Sequence, residues 1–179
     1  MCKGSSEKIT INKVLDFYKS LPQQPHKSTP INKDDVINYI KKQNYSLAVK
    51  RSVYSSFGIE SGYGSHAINN NINGMQTDGP GWDYSEKYII GTTTASEHAT
   101  GNIRSFACYK HWQDCIDQVL LIFKKRTEGK HLEIVPNDPD NSEFFAQKYC
   151  ANWISNTKGE KIPQVKNVYE NAIIKIPQW

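Results

Sequence analysis

The sequence predicts an α+β domain, mostly helical, with a small β-lobe inserted at about 61–108. Three observations carry this. Apolar residues recur at helical spacing before residue 60 and after residue 110. Between them the composition turns to Gly, Asn, Ser and Asp, including Asn69-Asn70-Asn71 and Asn73-Gly74, which is turn chemistry. Two short runs, 87–92 and 102–108, then read as strands. A length of 179 residues suits one domain or one domain with an arm.

The elements follow in order. Residues 1–8 read as a loose arm. Ile11, Val14, Leu15 and Tyr18 give a helical spacing over 9–21. Pro22, Pro25 and Pro30 then mark a linker or wrapped loop. These parts form an N-terminal unit, 1–30, ahead of the main domain, 31–179. Asn32 suits the cap of a helix holding Val36, Ile37 and Ile40. Ser46 suits the next cap, with Val49, Val53 and Phe57 four apart on one face. After the lobe, Trp112, Cys115, Ile116, Val119, Leu120 and Phe123 trace an amphipathic stripe. Asn141 or Ser142 opens a helix through Phe145, Tyr149 and Trp153. Val165, Val168, Tyr169, Ala172, Ile173 and Ile176 give the last one.

Several function classes are disfavoured. The formal net charge is only +4, and the one dense basic cluster is Lys124-Lys125-Arg126, which also reads as a solvated helix end. A nucleic-acid partner is not expected. The longest aliphatic-aromatic run, 119–123, is far short of the roughly 20 apolar residues that span a bilayer. No apolar h-region opens the chain, so a cleavable signal peptide is not expected. Cysteines at 2, 108, 115 and 150 form no Cys-x-x-Cys. Small buried thiols are expected, with a Cys108–Cys115 bridge open only if the fold brings the two within range. His66, His98 and His111 suggest no ligand set, so neither metal nor other cofactor is expected.

Glu60 stands out chemically. It ends a helix pattern and opens Glu60-Ser-Gly-Tyr-Gly64. The negative end of a helix dipole and an apolar backing both raise a carboxyl pKa. A general acid near neutral pH needs such a shift. Taken alone, the residue reads rather as a solvated Glu at a frayed helix end; its flanks decide.

The segment from Tyr54 to Gly64, Tyr-Ser-Ser-Phe-Gly-Ile-Glu-Ser-Gly-Tyr-Gly, resembles the catalytic helix of the lysozyme-like N-acetylglucosaminidases, glycoside hydrolase family 73. Asn70-Asn-Ile-Asn-Gly74 resembles that family's Asn-rich stretch. Arg104-Ser-Phe-Ala-Cys-Tyr109 resembles its Phe-Arg-x-Tyr element. The segment 144–149 and the last helix also fit, so the likeness spans about residues 46–177. Asn73 departs from the family's Phe, and Ala107 from its Arg.

The resemblance implies a lysozyme-like fold and an endo-β-N-acetylglucosaminidase that hydrolyses the glycan strands of peptidoglycan. It implies Glu60 as general acid, Tyr109 as a cleft-facing phenol and Glu97 as the base, with Asp78, Asp83 and Glu86 as rivals to Glu97. Tyr63, Asn71, Gly74, Trp82 and Phe106 are the expected substrate-binding residues. Trp82, Tyr84 and Tyr88 read either as sugar-stacking rings or as lobe packing. A monomer acting on the bacterial cell wall, in the periplasm or outside the cell, is expected, phage-encoded or delivered by a secretion system. The alternatives are a muramidase or lytic transglycosylase, and a wall-binding or virion structural module without activity.

Overall fold

The structure is a computed structural model that describes residues 13–79, 81–96, 101–129, 133–154 and 159–178. The arm expected at 1–8, Cys2, Glu97 and His98 lie outside the described residues. Helix α1 covers 13–20, followed by α2 (Lys33–Lys42), α3 (Leu47–Ser61), a single turn α4 (Ser85–Tyr88), the strands β1 (Ile89–Ser96) and β2 (Ile103–Tyr109), then α5 (Trp112–Gly129), α6 (Ser142–Asn152) and α7 (Ile162–Lys175). This is a mixed, mainly helical architecture with one small antiparallel sheet, as the α+β expectation has it.

Capping side chains start the helices where the sequence places them. Asn32 Oδ1 accepts from Asp34 N at 2.8 Å, Ser46 Oγ from Val49 N at 3.4 Å, and Asn141 Oδ1 from Phe144 N at 2.9 Å. Strand β1 starts later and runs further than the expected 87–92, since 87 and 88 belong to the helical turn α4. The strands pair from Ile89↔Tyr109 to Ser96↔Ile103, with a register shift between Ile89 and Gly91. The segment 75–77 pairs along β2 through Ala107 N to Met75 O and Thr77 N to Ser105 O, both at 2.9 Å.

The Pro-rich stretch after α1 is a strap across the lobe. Gln24 N donates to Thr92 O and Thr92 N to Pro22 O, while Thr29 N reaches Ala67 O and Ile31 N reaches Gly64 O. Gly91 permits the approach: a Cβ there would meet Gln24 Cγ at 2.7 Å and Pro22 O at 2.9 Å. Tyr18 of α1 is buried in the same core as the helices. Residues 13–31 are thus knit into the main domain.

Helix α3 is the spine, packed against α2, α5 and α7. The expected apolar stripe is present, but burial continues around the helix. Arg51, Ser52, Ser55 and Ser56 are buried along with Val49, Val53 and Phe57. Ser55 returns its proton to Arg51 O, and Arg51 is 1% exposed. Its guanidinium donates to Ile176 O, Pro139 O and Asp140 Oδ1. One side chain therefore ties α3 to the end of α7 and the approach to α6. Cys108, Cys115 and Cys150 are free and buried. No helix among the described residues is long and apolar enough to cross a membrane.

Arg51→Leu strands two backbone carbonyls and an aspartate, so a loss of about 3 kcal/mol is expected in urea unfolding. Arg51→Lys recovers little of it, because one ammonium lacks the planar fork that reaches three acceptors.

Candidate active site

Glu60 lies one residue before the end of α3, whose cap Gly62 is left-handed (φ 56°). All-round burial of the helix carries its C-terminal turn into the protein, so Glu60 is only half-buried as a residue while its carboxyl is recessed. Loss of hydration drives its pKa up to about 7, against the opposing pull of a hydrogen bond from Tyr149 and the charge of Lys161. The carboxyl thus changes protonation state around neutral pH.

Tyr149 Oη donates to Glu60 Oε1 at 2.7 Å. The same hydroxyl lies 2.9 Å from Ser56 Oγ, one turn back on α3, and Ser56 Oγ accepts from Asn73 Nδ2 at 2.8 Å. Four side chains from α3, α6 and the lobe thus form one row. The second carboxyl oxygen, Oε2, has no hydrogen-bond partner among the described residues. It faces Gly74, where a Cβ would stand 3.0 Å away. Gly74 has φ 62°, and any side chain there would crowd the acid.

The expected site residues divide. Gly74 is at the carboxyl. Asn71 is buried and serves the loop: its Nδ2 donates to Met75 O and Ala107 O, and its Oδ1 accepts from Met75 N, which places Gly74. Trp82 is half-buried and lies 4.8 Å, ring to ring, from Trp153, which stacks on Tyr149 at 5.9 Å. Tyr63 is half-buried, packs its ring against Phe57 and Tyr54 and covers Gly58. Phe106 is half-buried on β2, opposite Thr93. Tyr88 is buried, and Tyr84 is exposed.

Tyr109 differs from the expectation of a cleft-facing phenol. It is 3% exposed and donates to Gln118 Oε1 at 2.7 Å. Burial drives its pKa well above the usual range. The phenol bonded to Glu60 is that of Tyr149, which the sequence shows only as part of the α6 stripe. The available signal was a hydroxyl among buried rings, since a buried Tyr generally needs a partner.

Glu97 lies outside the described residues. Among its rivals, burial alone would raise the Asp78 pKa, but hydrogen bonds from Arg104 and Ser105 N, with the guanidinium charge, hold it below the usual range. Asp83 pairs with Lys125 at 2.9 Å, and Glu86 is exposed. Among the described residues no three His, Cys, Asp or Glu side chains are placed to share a metal ion.

The arrangement therefore offers one carboxyl of near-neutral pKa, held through one oxygen and, among the described residues, unpartnered at the other, which faces the bare backbone of Gly74. Compared with models of protein families, with curated proteins and with solved structures, the chain matches none.

Proposed function

We propose that the protein is a peptidoglycan hydrolase with a lysozyme-like fold, an endo-β-N-acetylglucosaminidase in which Glu60 is the general acid. The observation that carries this is the recessed Glu60 carboxyl, anchored by Tyr149 at Oε1 and unpartnered at Oε2. An acid at the C-terminal end of a buried helix, where a β-lobe begins, also supports the fold assignment. The likeness of 54–64 to the glucosaminidase helix supplies the substrate class.

Cleavage of a glycosidic bond needs a proton on the departing oxygen and relief of charge at the anomeric carbon. Glu60 delivers that proton from Oε2. As the carboxylate forms, the Tyr149 hydrogen bond and the Lys161 charge stabilise it. The lobe carboxylates Asp78 and Asp83 are each paired with a cation. With those two paired, the second role falls either to Glu97, the expected base, or to the 2-acetamido oxygen of the substrate, which attacks the anomeric carbon before water opens the cyclic intermediate.

Glu60→Gln keeps the shape and the Tyr149 contact but has no proton to give. Lysis in a zymogram is expected to fall at least about 10²-fold, the scale of general-acid catalysis. Mass spectrometry of wild-type digests is expected to show new reducing ends on N-acetylglucosamine. Reducing or anhydro N-acetylmuramic acid would assign the cleavage to a muramidase or transglycosylase, and unchanged lysis by Glu60→Gln would remove Glu60 from the reaction.

The same variant tests the pKa through stability. Between pH 4.5 and about 7 the folded state holds a proton that the unfolded state has lost, so stability falls as pH rises through that window. Glu60→Gln escapes this. It is expected to match the wild type near pH 4 and to exceed it above pH 7, by at most about 3 kcal/mol. Equal unfolding midpoints at pH 4 and pH 8 would contradict the burial of this carboxyl.

Tyr149→Phe removes the donor to Oε1. Turnover is expected to drop about tenfold or more, and the alkaline limb of the pH profile to move upward, because the carboxylate loses a stabilising hydrogen bond. An unmoved limb would mean that Tyr149 serves packing alone.

A further inference from the structure

The row that ends at Glu60 has a direction, and the direction is set at its far end. Asn73 is fully buried, with Nδ2 on Ser56 Oγ and Oδ1 without a partner. An amide nitrogen only donates. Ser56 Oγ must therefore accept from Asn73, which leaves the Ser56 proton for Tyr149, 2.9 Å away. Tyr149 then has its own proton for Glu60 Oε1. Every hydrogen in the row points at the carboxyl.

We propose that Asn73 and Ser56 are positioning residues that fix this direction, so that the transferable proton of Glu60 rides on Oε2, the oxygen beside Gly74. The acid role of Glu60 is taken from the proposed function; the direction of the row rests on the hydrogen bonds alone.

The reversed row is the alternative to exclude. Turning the Asn73 amide would place Oδ1 on Ser56. Ser56 would then donate to Asn73, Tyr149 to Ser56, and Glu60 to Tyr149. The acidic proton would sit on Oε1, facing Tyr149 and away from any substrate. The observed orientation leaves one amide N–H and the carbonyl oxygen unpaired; the turned one leaves both N–H groups with no acceptor, and an unmade buried donor is the less tolerable group. Asn73 thus acts as a stop that keeps Oε1 an acceptor.

Few other groups bear on the carboxyl. Tyr149 faces it from α6, and Lys161 acts from the residue before α7. The neighbouring residues 56–59 and 61 of α3 and the lobe loop 71–75 contain no ionisable side chain. Removing the stop or the serine should therefore weaken the donation by Tyr149 and leave the charges around Glu60 unchanged. The carboxylate becomes less stable, and Glu60 holds its proton to higher pH.

The test is a carbon-13 NMR titration of the Glu60 carboxyl in the full chain, for wild type, Ser56→Ala, Asn73→Leu and the double variant. Each single change is expected to raise the midpoint, by about half to one pH unit, the equivalent of one hydrogen bond. The double variant is expected to match Ser56→Ala, since without the serine the amide has no path to Tyr149. Unmoved midpoints in folded single variants, or shifts that simply add, would overturn the proposal. Should Asn73→Leu fail to fold, the Ser56→Ala midpoint decides. A lysis assay run alongside separates the two readings. A moved midpoint in a protein whose wild type cleaves no glycan upholds the row and removes the hydrolase. Wild-type cleavage with unmoved midpoints does the reverse.

Discussion

The structure turns on a carboxyl group set at the end of a helix that is buried on every side. From Ala48 to Phe57 every residue of α3 but the half-buried Lys50 is buried, so the helix carries Glu60 inward instead of ending in water. A charge so placed is penalised twice, by lost hydration and by the negative end of the helix dipole. Tyr149 where a phenylalanine would pack, a glycine at 74 and the ammonium of Lys161 are each intelligible as answers to that penalty. A phenylalanine at 149 would fill the same space between Phe145 and Trp153 but would leave Oε1 bare.

Position is held as tightly as charge. Arg51 joins α3 to the start of α6 and the end of α7, the helices that carry Tyr149 and follow Lys161. On the other side Asn71 makes three hydrogen bonds to the loop 71–75 and β2, which sets Gly74 against Oε2. The strap crosses the lobe from behind and joins both β1 and the turn at 64–69. The acid is thus bordered by elements that are each fixed from more than one direction, the condition under which a proton donor keeps its geometry as it changes charge.

Much of this was legible in the sequence. Caps at Asn32, Ser46 and Asn141 announce their helices because the signal is local, a side chain reaching a backbone N–H two or three residues on. The lobe is visible through its asparagines, and Glu60 through its flanking glycines. The prolines of the strap left a linker and a wrapped loop both open, and its docking site stayed hidden, because its pairing with β1 runs backbone to backbone across nearly 70 residues. Nor was the choice of tyrosine legible. Tyr109 and Tyr149 both sit among apolar neighbours, and only the folded chain sends one hydroxyl to Gln118 and the other to Glu60. The departure at Asn73 from the family pattern was visible as an oddity, but its meaning required Ser56, 17 residues away and a full helix end apart.

Two polar atoms along the row remain without partners, and they lie at its opposite ends. Asn73 Oδ1 is sealed from water and gains nothing locally. Glu60 Oε2 stands at the half-buried end. A row optimised for stability alone would close both, for instance with a hydroxyl at 74 to meet Oε2 or an apolar residue at 73. The first would occupy the oxygen from which the proton leaves in the proposed reaction. The second would remove the donor that keeps the other oxygen from taking that proton instead. The unmet hydrogen bond at 73 is therefore best understood together with the open oxygen at 60, as a stability cost that keeps a proton on the side from which it can depart.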